Sequence, residues 1–220
     1  MPRIFKVTLL LALMVGVGFS APRAVEIAGV DYPVAWQGSD GEPNSSFWVL
    51  NGTGGTTMLA EGRLILDTLS SETVKPGEYY YHRKSGVSAE HPQSILTFRA
   101  RVDSIADEAT AGAVAGFQAK DRLYRVALER GGVGLIGGEF LPLDTAEFHT
   151  YRLVVTNGEA VLYVDADLTP RSSSKGIETK VSRPALYFGV VGKNISGRSE
   201  WEYIAFINES AHDPERILRP

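Results

Sequence analysis

The chain has 220 residues, 22 Lys and Arg against 26 Asp and Glu, a net charge of −4, and no cysteine. An acidic chain lacks the excess of cations that nucleic-acid phosphates demand, and a thiol-free one has no disulfide, zinc–thiolate site or cysteine nucleophile. This length is enough to bury a core that is stable without cross-links. The first 24 residues read as a secretory signal peptide. Arg3 and Lys6 precede the apolar run Val7 to Phe19, and the small residues Ser20, Ala21, Pro22 and Ala24 surround Arg23. The run is too short to span a bilayer comfortably. Removing Arg3, Lys6 and Arg23 leaves 19 basic residues against 26 acidic ones, a net charge of −7. The expected location is secreted, periplasmic or at the cell surface, and a cysteine-free exported chain fits a bacterial envelope. No later segment is long and apolar enough to cross a membrane, so residues 25–208 are expected to form the domain and 209–220 a tail.

Trp36 follows Tyr32-Pro33 in a loop-like stretch and is the tryptophan expected to be exposed. Gly38 to Gly55 is rich in Gly, Ser and Asn and predicts loops around the short apolar piece Phe47 to Leu50, with Trp48 in the core. Leu64-Ile65-Leu66 is a compact apolar strand. Glu78 to Arg83, EYYYHR, predicts a strand with Tyr79, Tyr81 and Arg83 on one face and Tyr80, His82 and Lys84 on the other. Leu96, Phe98, Ala100 and Val102 alternate with Thr97, Arg99, Arg101 and Asp103, and Tyr124, Val126 and Leu128 with Arg125, Ala127 and Glu129. That period of two is the mark of half-buried strands. Asn157-Gly158 separates two β-rich runs between Tyr151 and Asp165, as a tight hairpin requires, and a second turn is expected at Gly131-Gly132. Leu186 to Val191 and Trp201 to Ile207 are late strands, the latter with Trp201 and Tyr203 on one buried face. Asp213 to Leu218 reads as a turn of helix, and no longer amphipathic helix is predicted. Many short strands with turn signals between them predict an all-β sandwich or barrel.

Four pieces stand in a recognisable order: Gly62 to Thr68 before the tyrosine strand, Leu96 to Val102 after it, the hairpin His149 to Asp165, and Phe188 to Gly192 leading into Ser199 to Ile204. Over about residues 47–208 the chain resembles the laminin-G-like jellyroll of the concanavalin A-like lectin/glucanase superfamily. The resemblance implies a two-sheet antiparallel β-sandwich. It leaves function open among a non-catalytic module for a glycan or other extracellular polymer, a glycoside hydrolase or lyase, and a structural or protein-binding module of the envelope.

Tyrosine offers an apolar ring to a sugar and a hydroxyl to its oxygens, and guanidinium pairs bidentately with carboxylate or sulfate. A ligand site is therefore expected across a polar sheet face near Tyr81, Arg83, Arg99 and Arg125, with Arg101, Arg152, Gln118 and Tyr163 as further contacts. Cross-strand pairing of these arginines with Glu129, Asp103 and other acids is the bland alternative. Glucanases of the resembled superfamily carry an E-x-D-x-x-E strand motif, and no E-x-D triplet occurs here. Glu200 and Glu202 flank Trp201 and form the remaining carboxylate pair that could serve retaining hydrolysis. His82, His91, His149 and His212 have no metal-ligand spacing, no G-x-S-x-G elbow is present, and Gly52 to Gly55 lacks the G-K-[ST] of a phosphate loop. Asp165 and Asp167, two apart at a turn, are the candidate ligands for a structural calcium, and no other cofactor is expected.

Overall fold

The computed structural model describes residues 25–27, 30–69, 78–83, 93–119, 121–180 and 186–209. The signal segment, His91, His212, Lys84 and the turn expected at Asp213 to Leu218 lie outside the described residues. The strands are β1 (Val25–Ile27), β2 (Val30–Tyr32), β3 (Val34–Gln37), β4 (Trp48–Asn51), β5 (Thr56–Ala60), β6 (Arg63–Asp67), β7 (Glu78–Arg83), β8 (Gln93–Ile105) and β9 (Ala111–Ala119). They continue as β10 (Arg122–Glu129), β11 (Gly132–Leu135), β12 (Phe140–Pro142), β13 (His149–Thr156), β14 (Glu159–Val164), β15 (Ser172–Ser174), β16 (Ile177–Glu178), β17 (Leu186–Val191) and β18 (Gly197–Glu209). A single 3-10 turn, Gly38–Asp40, interrupts this pattern among the described residues.

Two eight-stranded antiparallel sheets face each other. The front sheet runs β12-β11-β10-β9-β17-β7-β4, with β16 beside β10. The back sheet runs β15-β14-β13-β8-β18-β6-β5, with β3 beside β18. β1 and β2 form a small separate hairpin, and the Tyr32 hydroxyl meets the Thr97 hydroxyl at 2.9 Å on the outer side of the back sheet.

The core follows the period-two pattern. From the back sheet, Leu64, Leu66, Leu96, Phe98, Ala100, Tyr151, Leu153, Leu162, Trp201 and Ile204 are wholly buried. From the front sheet they meet Ala113, Ala115, Phe117, Val126, Leu128, Leu186, Phe188 and Val190. Phe188 is the hub, stacked on Tyr81 at 5.6 Å and Trp36 at 5.9 Å, edge-on to Trp48 at 5.5 Å, and tilted against Trp201 at 5.0 Å. Truncating such a ring to alanine costs about 3–5 kcal/mol.

Hairpin chemistry sets the register. Asn157 at φ 51° and Gly158 at φ 83° close β13 on β14, with Thr156 opposite Glu159. Both residues take the left-handed region that a two-residue turn needs to match strand twist. Glu61 and Gly62, at φ 52° and 72°, close β5 on β6 in the same way, a turn with no Asn-Gly signal to announce it. The β10–β11 turn is Arg130-Gly131, one residue earlier than expected, because Glu129 pairs with Gly132.

Two expectations about tryptophan neighbours are corrected. Trp36 is 4% exposed, because β3 pairs with β18 and carries the indole into the core, where Nε1 donates to the Gly41 carbonyl at 2.8 Å. Tyr203 does not share the face of Trp201. The register shifts between Trp201 and Tyr203, a bulge that turns Tyr203 outward opposite Arg99.

Candidate functional site

The residues expected to form one site are divided among three environments. Tyr81 is buried against Phe188, and burial pushes its phenol above the usual range. Arg83 points inward as well, its guanidinium 4.7 Å from the Phe47 ring centre and 5.7 Å from that of Trp48. Burial draws its pKa below the usual arginine value. Arg99 stands on the outer face of the back sheet, and Arg125 on the outer face of the front sheet. Gln118 is on the front sheet with Arg125, whereas Arg152 and Tyr163, which oppose each other, belong to the back sheet. The four predicted side chains therefore do not converge.

The outer back face is a lattice of opposite charges. Arg101 donates to Glu200 at 2.8 Å and Arg99 to Glu202 at 2.8 Å, while Arg63 lies 3.4 Å from Glu200 and 3.9 Å from Glu202. All three guanidinium groups lie over the Phe148 ring, 5.0 to 5.6 Å from its centre. Burial pushes Glu200 up, but the hydrogen bonds and charges of Arg101 and Arg63 outweigh it and hold the carboxyl below its ordinary value. A carboxylate stabilised in its ionised form is a poor general acid. Arg198 bridges Asp67 and Asp103 farther along the same sheet.

Asp165 and Asp167 are committed to their own turn. Asp165, at φ 56°, accepts from the Thr150 amide at 2.9 Å and pairs with His149 Nδ1 at 2.7 Å. Asp167 accepts from the Thr169 amide at 2.8 Å and pairs with Arg171 at 2.7 Å. Among the described residues no group of three His, Asp or Glu side chains is placed to share a metal ion.

The outer face of the front sheet is different. Antiparallel pairing aligns Val49, His82, Tyr187, Gly116 and Arg125 in one row across β4, β7, β17, β9 and β10. The next row is Asn51, Tyr80, Gly189, Val114, Ala127 and, on β11, Gly134. Alternation places both rows on the side opposite Tyr81, Phe188 and Phe117. Tyr80, edge-on to Tyr187 at 6.4 Å and 6.1 Å from His82, forms an aromatic wall. The Asn51 amide nitrogen meets His82 Nδ1. Arg125 and Glu129 stand across the glycines. A Cβ on Gly116 would lie 2.9 Å from the Tyr187 hydroxyl, and one on Gly134 would lie 2.3 Å from Glu129 Oε1, so these glycines give the larger side chains room to lie along the sheet. Val114 beneath them is fully buried, while Tyr80, His82, Arg125 and Glu129 are half-buried. Burial pushes Glu129 up, with Arg125 opposing the shift.

Of the predicted site, Arg125 and Gln118 belong to this face. Tyr80, His82, Tyr187, Asn51 and Glu129 were not assigned to it from sequence. The signal for them was the opposite parity of EYYYHR, together with Gly116 on β9 and Gly189 on β17.

Two packed antiparallel sheets in this order form a β-sandwich of the concanavalin A-like jellyroll kind. Solved structures with the same fold include a native glycosidic hydrolase, at TM-score 0.50 and 15% identity over 79% of this chain and 94% of that one. The Bacillus licheniformis β-glucanase aligns at 0.50 and 10%, over 80% and 98%. The receptor-binding domain of botulinum neurotoxin type G aligns at 0.53 and 11%, over 84% of this chain and 49% of that one. At these identities the likeness is one of fold. No protein-family model matches the sequence, and no curated protein matches it.

Proposed function

We propose that the chain is an exported, non-catalytic carbohydrate-recognition module that holds a glycan against the outer face of its front sheet. The observation that carries this is the gathering of Tyr80, His82 and Tyr187 on one side of Gly116 and Arg125 on the other, all on strands. Aromatic rings offer apolar area to sugar C–H groups, and rigid strands hold the polar groups that orient hydroxyls. The fold is shared with glycan-processing proteins, which is compatible with this reading and does not decide it.

A hydrolase needs two carboxyl groups flanking one bond. On β7, β9, β10 and β17, Glu129 is the carboxylate whose described side chain faces outward. Glu200 and Glu202 lie on the other sheet, each within hydrogen-bonding distance of an arginine. These points favour binding over cleavage. The test is a polysaccharide panel presented to the purified chain and scored for both retention and new reducing ends. Retention without reducing ends is expected. Steady release of sugar would replace this reading with an enzymatic one, and no retention on any polymer would leave a structural or protein-binding role.

A further inference from the structure

The glycan reading can be sharpened to the charge of the ligand. Three neighbouring strands place Tyr187, Gly116 and Arg125 side by side. The Tyr187 hydroxyl lies over Gly116, toward Arg125, in space that any side chain at 116 would fill. Burial keeps this phenol protonated, with the Arg125 charge opposing the shift, so it stands as a donor.

Arg125 is under-used. Its Nη1 makes one long contact, 3.4 Å, with the Val191 carbonyl, and its Nε is buried with no acceptor. Arg63, Arg99, Arg101, Arg122, Arg171 and Arg198 each lie within 4.0 Å of a carboxylate, and among the described residues Arg125 does not. Glu129, the nearest acid on its own strand, lies over Gly134 instead. A phenol donor and a guanidinium short of acceptors, converging over a glycine, form a hydrogen-bond set that an anion completes.

We propose that Arg125 and Tyr187 form a subsite for an anionic substituent of the glycan, a carboxylate or a sulfate. This rests on the glycan reading of the same face. The test uses matched polymers: polygalacturonate against its carboxyl-reduced form, and dextran sulfate against dextran, each titrated calorimetrically at low salt. The native chain should bind at least one acidic polymer about tenfold or more tightly than its neutral partner, the effect of a charge-assisted contact. The pair that shows the preference identifies carboxylate or sulfate. Arg125→Gln should erase the preference, so that the acidic and neutral members of each pair bind with equal affinity. Tyr187→Phe should reduce it by a smaller factor, and Arg125→Lys, which keeps the charge without the fork, should retain part of it. Matched melting temperatures exclude misfolding as the cause. Equal affinity within both pairs, or a preference that survives Arg125→Gln, overturns the anionic subsite and leaves the glycan reading standing. Failure to bind any polymer on the wider panel overturns the glycan reading itself.

Discussion

Glu200 shows why a carboxylate pair on a jellyroll strand need not be catalytic. It stands opposite Arg101 on β8, and Arg63 of β6 reaches it from two residues along, while the bulge at Glu202 lets both acids meet arginines on one face. Because Glu200 is 6% exposed, Glu200→Gln leaves Arg101 and Arg63 without their buried counter-charge. It should destabilise the chain by about 1–3 kcal/mol in denaturant titration at neutral pH. The pH dependence has a definite sign. Glu200 titrates below its ordinary value in the folded chain, so its contribution is complete above that ordinary value. It is lost as the pH falls from about 4.3 through the lower folded pKa. The native chain should therefore lose stability on acidification more steeply than Glu200→Gln. Parallel acid limbs for the two proteins would show that the pair contributes nothing. Parity alone could not have separated Glu200 from a catalytic acid. A lone strand shows which residues share its face but not which cations the next strand brings to it.

Elements differ in how much of their geometry local sequence carries. β10 alternates cleanly, with Tyr124, Val126 and Leu128 buried between half-buried neighbours, whereas β8 alternates only from Phe98 onward and is buried on both faces from Gln93 to Phe98. The Asn157-Gly158 turn was legible because only a few residue types accept a positive φ at both centres of a tight hairpin. β7 was the opposite case. EYYYHR carries a ring at both parities, so the pattern of two contains no polarity, and Phe188 on the neighbouring strand decides that Tyr79 and Tyr81 go inward. β3 was missed for a related reason, since four residues after Tyr32-Pro33 become a strand only when β18 offers them an edge. Glycine substitutions test this at the element scale. Gly158→Ala meets only the cost of a left-handed backbone, about 1 kcal/mol. Gly189, at φ 121°, pairs with Tyr80 inside the sheet, and a Cβ there would sit 2.9 Å from the Tyr79 carbonyl. Gly189→Ala should lower the melting temperature more than Gly158→Ala. Equal shifts would mean that the front sheet tolerates displacement of β17.

At the scale of the molecule, the two sheets divide the work. The back sheet neutralises its outer charges internally, through the Arg63, Arg99 and Arg101 lattice and the Asp67, Arg198 and Asp103 chain, and Tyr32 packs onto it beside Thr97. The front sheet lines its outer face with glycine, aromatic side chains and an arginine that meets no carboxylate among the described residues. Which arginine belonged to which sheet was not legible, because β8 pairs with β13 and β18 while β10 pairs with β9 and β11, an order set by tertiary packing. The central claim is that the glycan lies on the front face. The most direct measurement is the affinity of the best-retained polysaccharide for two variants, Tyr80→Ala on the front face and Arg99→Ala on the back. The account predicts a loss of about tenfold or more for Tyr80→Ala, in line with the cost of removing an aromatic hot spot, and no change for Arg99→Ala. Undiminished binding by Tyr80→Ala, with binding lost in Arg99→Ala, would contradict it.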